Sequence, residues 1–125
     1  MTQTVVDLKT LLKDSTDVIA IFQLKFDRTT EMIRWLSTSQ MRSMKKKIRL
    51  GNYELKYVAP AAEYGRLDDR GTLLENVFTV FNVSRPEDFR GHSLSVSDIV
   101  ALKDSEGTIY YYVDDFGFKQ LQDIA

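Results

Sequence analysis

Cysteine is absent from the 125 residues, which excludes disulfides, thiol catalysis and thiolate metal sites and fits a reducing cytoplasm. Histidine occurs once, at His92, so any metal site would have to be completed by carboxylates. No apolar run approaches the roughly 18–20 residues that span a bilayer. The first residues lack the basic stretch and apolar core of a secretory signal. No glycine motif suited to cradling a phosphate appears. These absences leave a soluble, cytoplasmic protein with no expected cofactor or metal.

What is present reads as one ordinary globular domain. Hydrophobic residues make up 43% and charged residues 28%, which argues against global disorder. A chain of this length buries about two-thirds of its unfolded surface, enough for one core without staples. The net charge of −1 hides an uneven distribution. Residues 1–62 hold 11 Lys/Arg against 6 Asp/Glu, a net of +5, and residues 63–125 hold 6 against 12, a net of −6. Such polarity can steer partners if it becomes a surface dipole.

The chain opens with Val5, Leu8, Leu11 and Leu12 at helical spacing, an N-terminal helical extension over residues 1–17. Its Leu8-Lys9-Thr10-Leu11-Leu12 matches a leucine box, but an ordinary amphipathic helix is the far better explanation. Val18 to Phe26 begins as a continuous apolar, β-branched run, the pattern of a central strand. Asp27 to Lys47 reads as two helical pieces. Thr29 or Thr30 caps the first, which holds Met32, Ile33, Trp35 and Leu36. Ser37-Thr38-Ser39-Gln40 is a capping box opening the second, with Met41 and Met44 inward. Tyr53 to Val58 alternates as a second strand, and Pro60 to Gly71 reads as a solvated excursion.

Thr72-Leu73-Leu74-Glu75 reads as another capping box, opening a helix whose core face carries Leu73, Leu74, Val77, Phe78 and Phe81. Pro86 starts a short helical turn, Gly91 breaks it, and a hydroxyl-rich bend follows. A hairpin is expected from Asp98–Lys103 and Thr108–Val113, joined by the four residues Asp104 to Gly107. Phe118 to Leu121 gives a last short strand. The fold class is therefore α+β: a small mixed or antiparallel sheet with a C-terminal hairpin, packed against three to four helices.

Little here invites catalysis or metal binding. His92 stands beside Ser93, and Gly91-His92-Ser93-Leu94-Ser95 approaches a nucleophile elbow, but adjacent side chains diverge in an extended segment. Asp68-Asp69, Glu87-Asp88 and Asp114-Asp115 lack the spacing of a calcium loop. Asp115-Phe116-Gly117 echoes the kinase magnesium triplet without the loops that accompany it. No catalytic residue is assigned.

Two surfaces remain as binding candidates. Arg42, Lys45, Lys46, Lys47 and Arg49 form the densest basic cluster, placed on a helix and suited to phosphate contacts, although no aromatic residues interleave there. In the hairpin, Tyr111 facing the core sends Tyr110 and Tyr112 outward as two rigid amphipathic rings. The nearby Arg90–His92 bend and the acidic Asp114-Asp115 extend that surface.

The idiosyncratic Arg-Gly-His-Ser-Leu-Ser-Val-Ser-Asp at 90–98 resembles the YodL-like domain of bacterial mobile elements. Phe22-Gln23-Leu24-Lys25 looks like that family's first strand and Asn52 to Pro60 its second. Thr72 to Leu102, with Phe81-Asn82 and Pro86-Glu87-Asp88-Phe89, is similar to its central block, and Tyr111 to Phe118 to its closing signature. The likeness covers about residues 20–121. It departs in the N-terminal helix, at 62–71, and at Val113 and Asp115, where relatives are expected to carry a smaller or polar residue.

The resemblance implies a module of Firmicutes conjugative elements and phages, found beside antirestriction modules, with a namesake branch associated with the cell-shape cytoskeleton. It supplies no catalytic residues. The expectation is a non-enzymatic, stoichiometric protein binder using Tyr110, Tyr112, Arg90, His92, Asp114 and Asp115. Its target would be a host protein, either a defence nuclease of a CRISPR or restriction system or a cytoskeletal filament protein. The alternative is a nucleic-acid-binding accessory using the cluster at 42–49.

Overall fold

The computed structural model describes residues 17–125; the N-terminal helix and leucine box expected before Asp17 lie outside the described residues. Five strands form one antiparallel sheet: β1 (Val18–Leu24), β2 (Tyr53–Pro60), β3 (Ile99–Asp104), β4 (Gly107–Val113) and β5 (Phe118–Gln120), in the order β2-β1-β3-β4-β5. Between them the chain forms α1 (Arg28–Glu31), α2 (Thr38–Ser43) and α3 (Arg70–Val83), with single 3₁₀ turns at Leu50–Asn52 and Ala61–Glu63. The α+β class and the antiparallel alternative for the sheet both hold.

Both faces of the sheet are buried, which explains the unbroken apolar run of β1, an interior strand. On one face Ile19, Ile21, Val100, Leu102, Tyr111 and Val113 meet Leu73, Leu74, Val77 and Phe81 of α3. Phe81 is the centre of an aromatic cluster, edge-on to Phe89 at 4.9 Å and to Tyr57 at 5.5 Å, geometry the ring quadrupoles favour. On the opposite face Leu24, Tyr53, Ile99 and Tyr112 pack with Ile33, Met41 and Ile124. The layer built from residues 25–49 therefore covers part of the second face, and the remainder of that face carries the strand cluster Val18, Ala20, Val58 and Ala101.

Several elements end earlier or start elsewhere than their patterns suggest. Asp27, not Thr29 or Thr30, caps α1, and Thr30 completes the box from the third helical position. That helix is a single turn with Met32 as its C-cap, and further on the chain leaves the right-handed region at Trp35, φ 70°. The Ser37–Gln40 capping box is present as read. Met41 is buried, but Met44 ends the helix and is exposed. Asp69 rather than Thr72 caps α3, accepting from the Thr72 amide. Phe78 sits at the flank of that helix's core face, 39% exposed and edge-on to Phe118 at 6.4 Å. The 60–71 excursion is only partly solvated, since Ala61 and Tyr64 are buried and Leu67 packs on the core. The β3–β4 loop is two residues long: Asp104 pairs with Gly107, and its carboxylate accepts the Glu106 amide at 2.8 Å.

Candidate functional site

The segment at 90–98 closes over β1 through one buried side chain. Gln23 is fully buried, and its amide nitrogen donates to Asp98 Oδ2 at 3.0 Å and to the His92 carbonyl at 2.9 Å. Its oxygen accepts the His92 amide at 3.1 Å. Asp98 Oδ2 also accepts the Ser95 amide at 2.9 Å. Gly91 is required by this contact, because a Cβ there would lie 2.1 Å from Gln23 Oε1. Burial pushes the Asp98 carboxyl up to about 7, against the Ser95 and Gln23 hydrogen bonds and the charge of Arg34 that pull it down.

This knot binds the bend to the sheet and leaves no nucleophile–base pair. His92 Nδ1 lies 2.7 Å from the Ser93 carbonyl and so carries the proton in the neutral ring. Nε2 is buried without a polar partner. The Ser95 hydroxyl donates to the Ser93 carbonyl at 2.8 Å. Among the described residues, no three His, Asp or Glu side chains are grouped to hold a metal ion, and no helix is long and apolar enough to cross a membrane.

Above the knot the backbone is strained. Trp35 and Ser97, at φ 70° and 86°, are joined by a hydrogen bond from the Trp35 amide to Ser97 Oγ at 3.2 Å. Tyr53 anchors the same point, its hydroxyl donating to the Ser97 carbonyl at 2.6 Å. Non-glycine residues in this region persist only where their surroundings hold them. The consequence is that Trp35 is held 53% exposed, edge-on to His92 at 5.6 Å. Beside it, the Arg34 guanidinium lies 4.2 Å from the Phe26 ring centroid and 5.9 Å from that of Trp35. It is fixed there by donating to the Lys25 carbonyl at 2.8 Å.

The expected outward pair of tyrosines is not presented. Tyr112 is 1% exposed, because the face opposite α3 is covered by the 25–49 layer. Its hydroxyl donates to the Leu36 carbonyl at 2.7 Å, and burial raises the phenol above its ordinary range. Tyr110 is half-buried against Phe22, at 6.1 Å between centroids. Asp114 is occupied as well: it accepts the Thr38 amide at 2.9 Å and the Thr38 hydroxyl. Burial works to raise its carboxyl, but these bonds and the Asp115 amide outweigh it and hold it below the ordinary carboxylate value. Arg90 and Asp115 are exposed, and His92 is half-buried.

The basic cluster is exposed at all five positions, but only Arg42 lies on a helix. The chain leaves α2 at Met44, and Lys45 turns at φ 55°. None of the five forms an ion pair among the described residues.

At the β4–β5 turn, a recess of about 240 Å³ is floored by Phe78, Val113 and Phe118 and rimmed by Glu75, Asp114 and Asp115. Phe116 projects from the turn, 92% exposed. The turn is closed by Asp114 N–H to the Gly117 carbonyl at 2.9 Å and by the Phe116 amide to Asp115 Oδ1 at 3.0 Å. Gly117, at φ 72°, supplies the left-handed residue the turn needs. In the sequence, Phe116 lay inside the kinase-like triplet and Phe78 read as one more member of the core face of α3. Gln23, an amide inside an apolar strand, was the one visible pointer to the knot.

The fold is thus a small antiparallel sheet covered on both faces, with a buried polar knot tying the 90–98 bend to its central strands. The sequence matches the family model for the YodL-like domain over residues 18–123, and the chain belongs to that family. Comparison with curated proteins and with solved structures gives no match.

Proposed function

We propose that the chain is a non-enzymatic protein-binding module that acts stoichiometrically on a host protein through its β4–β5 end. The observation that carries the reading is Phe116, almost fully exposed on a closed turn beside an acid-rimmed apolar recess. A rigid exposed aromatic beside a pocket is the composition of an interface anchor. Asp115 and Glu75 favour a partner with a basic surface. The expected setting follows from the family: a mobile genetic element, with a defence nuclease of a CRISPR or restriction system or a cytoskeletal filament protein as target. Of these, a nuclease with a basic nucleic-acid groove suits the acidic rim better.

The test is affinity capture from a nuclease-treated Firmicutes lysate with wild-type protein and with Phe116→Ala and Asp115→Asn. One protein retained near stoichiometrically by wild type, and lost by more than about tenfold with Phe116→Ala, supports the proposal. Retention unchanged in both variants refutes this surface. Asp114 is avoided because its removal would also release Thr38.

A further inference from the structure

We infer that the layer formed by residues 25–49 is a second binding surface, one that takes single-stranded nucleic acid. The segment carries eight Lys/Arg (Lys25, Arg28, Arg34, Arg42, Lys45, Lys46, Lys47 and Arg49) against Asp27 and Glu31, a net of +6. Seven of these cations are exposed, and Arg34 is half-buried beneath its aromatic neighbours. The layer that packs on the second face of the sheet is therefore strongly net positive.

Charge alone would fit any polyanion. The aromatic residues narrow the choice. Phe26 is 75% exposed and Trp35 is held outward by a strained backbone, with the Arg34 guanidinium against both rings. An exposed ring–guanidinium–ring set offers flat faces to unpaired bases, while lysines of the same segment meet the phosphates. An acidic protein surface would engage the cations, whereas a ring–guanidinium–ring set amid phosphate-binding cations is the combination that single strands use. Duplex DNA hides its base faces, so the single strand is favoured. The aromatic component missing from the basic cluster in sequence is supplied by the preceding turn of the same layer. This surface shares no residue with the β4–β5 end, so the two proposals stand or fall separately.

The experiment uses the full chain and a fluorescein-labelled oligothymidylate of about 20 nucleotides, read by anisotropy and by quenching of the fluorescence of Trp35, the single tryptophan. Saturable binding is expected at low salt, with Trp35 quenched in step. Affinity should fall about 100-fold between roughly 50 and 200 mM salt, as for about five phosphate contacts on a single strand. Phe26→Ala should weaken binding about tenfold, and Lys45→Ala, Lys46→Ala and Lys47→Ala together should flatten the salt dependence. Each variant must first show wild-type circular dichroism and melting. No binding at low salt overturns the inference. Binding that leaves Trp35 unquenched, ignores Phe26→Ala and is displaced by polyglutamate also overturns it, marking the layer as a generic acceptor of acidic proteins.

Discussion

Replacing Gln23 by Leu should cost the domain about 3–5 kcal/mol, far more than its modest change in volume implies. The side chain is fully buried on β1 and makes three hydrogen bonds: two donated, to Asp98 and to the His92 carbonyl, and one accepted from the His92 amide. Leucine would leave the His92 amide and carbonyl without their buried partner, and each such group costs about 1–3 kcal/mol. It would also strip the Asp98 carboxylate of one of its two bonds at Oδ2, leaving only the Ser95 amide at 2.9 Å. Apolar burial of the new side chain offsets part of that sum. In a domain of this size the net loss lowers the melting temperature by roughly 10–20 °C. Urea unfolding of wild type, Gln23→Leu, Asp98→Asn and the double variant measures the term directly. A coupling of at least about 1 kcal/mol between the two positions is expected, as for groups in one buried network. A Gln23→Leu cost below about 1 kcal/mol, with additive effects, would refute the account of 90–98 as a segment pinned by this amide.

The other predictions concern the same architecture. Gly91→Ala forces a Cβ to within 2.1 Å of Gln23 Oε1 and 2.7 Å of Phe89 Cζ, so a loss of about 2–4 kcal/mol is expected by chemical denaturation; wild-type stability would mean the bend yields freely. The folded Asp98 carboxyl, at about 7 against 3.8 for the free residue, holds its proton more tightly than the unfolded chain does. Stability should therefore fall as pH rises from about 4 through about 7 and level above it, by at most about 4 kcal/mol. Asp98→Asn should flatten melting temperature against pH across that window, and an unchanged slope would assign the effect elsewhere. Tyr112→Ala should destabilise by about 3–5 kcal/mol while Tyr112→Phe, losing only the bond to Leu36, costs about 1 kcal/mol; a surface tyrosine would tolerate both.

The strands were legible because their signal is local. All five strands follow from apolar runs, alternation and turn signals, and the Ser37–Gln40 box marks the start of α2, which ends at Ser43 rather than continuing to Lys47. What failed depended on the second layer. Alternation separated Tyr111 from Tyr110 and Tyr112 correctly, but it cannot tell that residues 25–49 fold over the second face and bury Tyr112. The Met32–Leu36 pattern read as helix because spacing does not register the Trp35–Ser97 contact, made across 62 positions of sequence. At α3, a carboxylate at Asp69 took the capping role from Thr72, and helical spacing alone did not show that Phe78 lies at the partly exposed edge of the core face.

Those long-range contacts also govern which residues are free to bind anything. The 90–98 segment is the most distinctive stretch of sequence, yet its side chains are largely spent on Gln23, Asp98 and one another. The residues that form the knot and the exposed residues it positions are different ones. Trp35 is exposed because Ser97 and Tyr53 fix the backbone beneath it. Asp114 joins the two regions: by accepting from Thr38 it ties the β4–β5 turn to the start of α2. An acidic end bearing Phe116 and a basic layer bearing Trp35 are thereby held by one hydrogen-bonded junction. Because each surface bears its own aromatic anchor and an opposite charge, Phe116→Ala and Phe26→Ala should separate their contributions without disturbing the core.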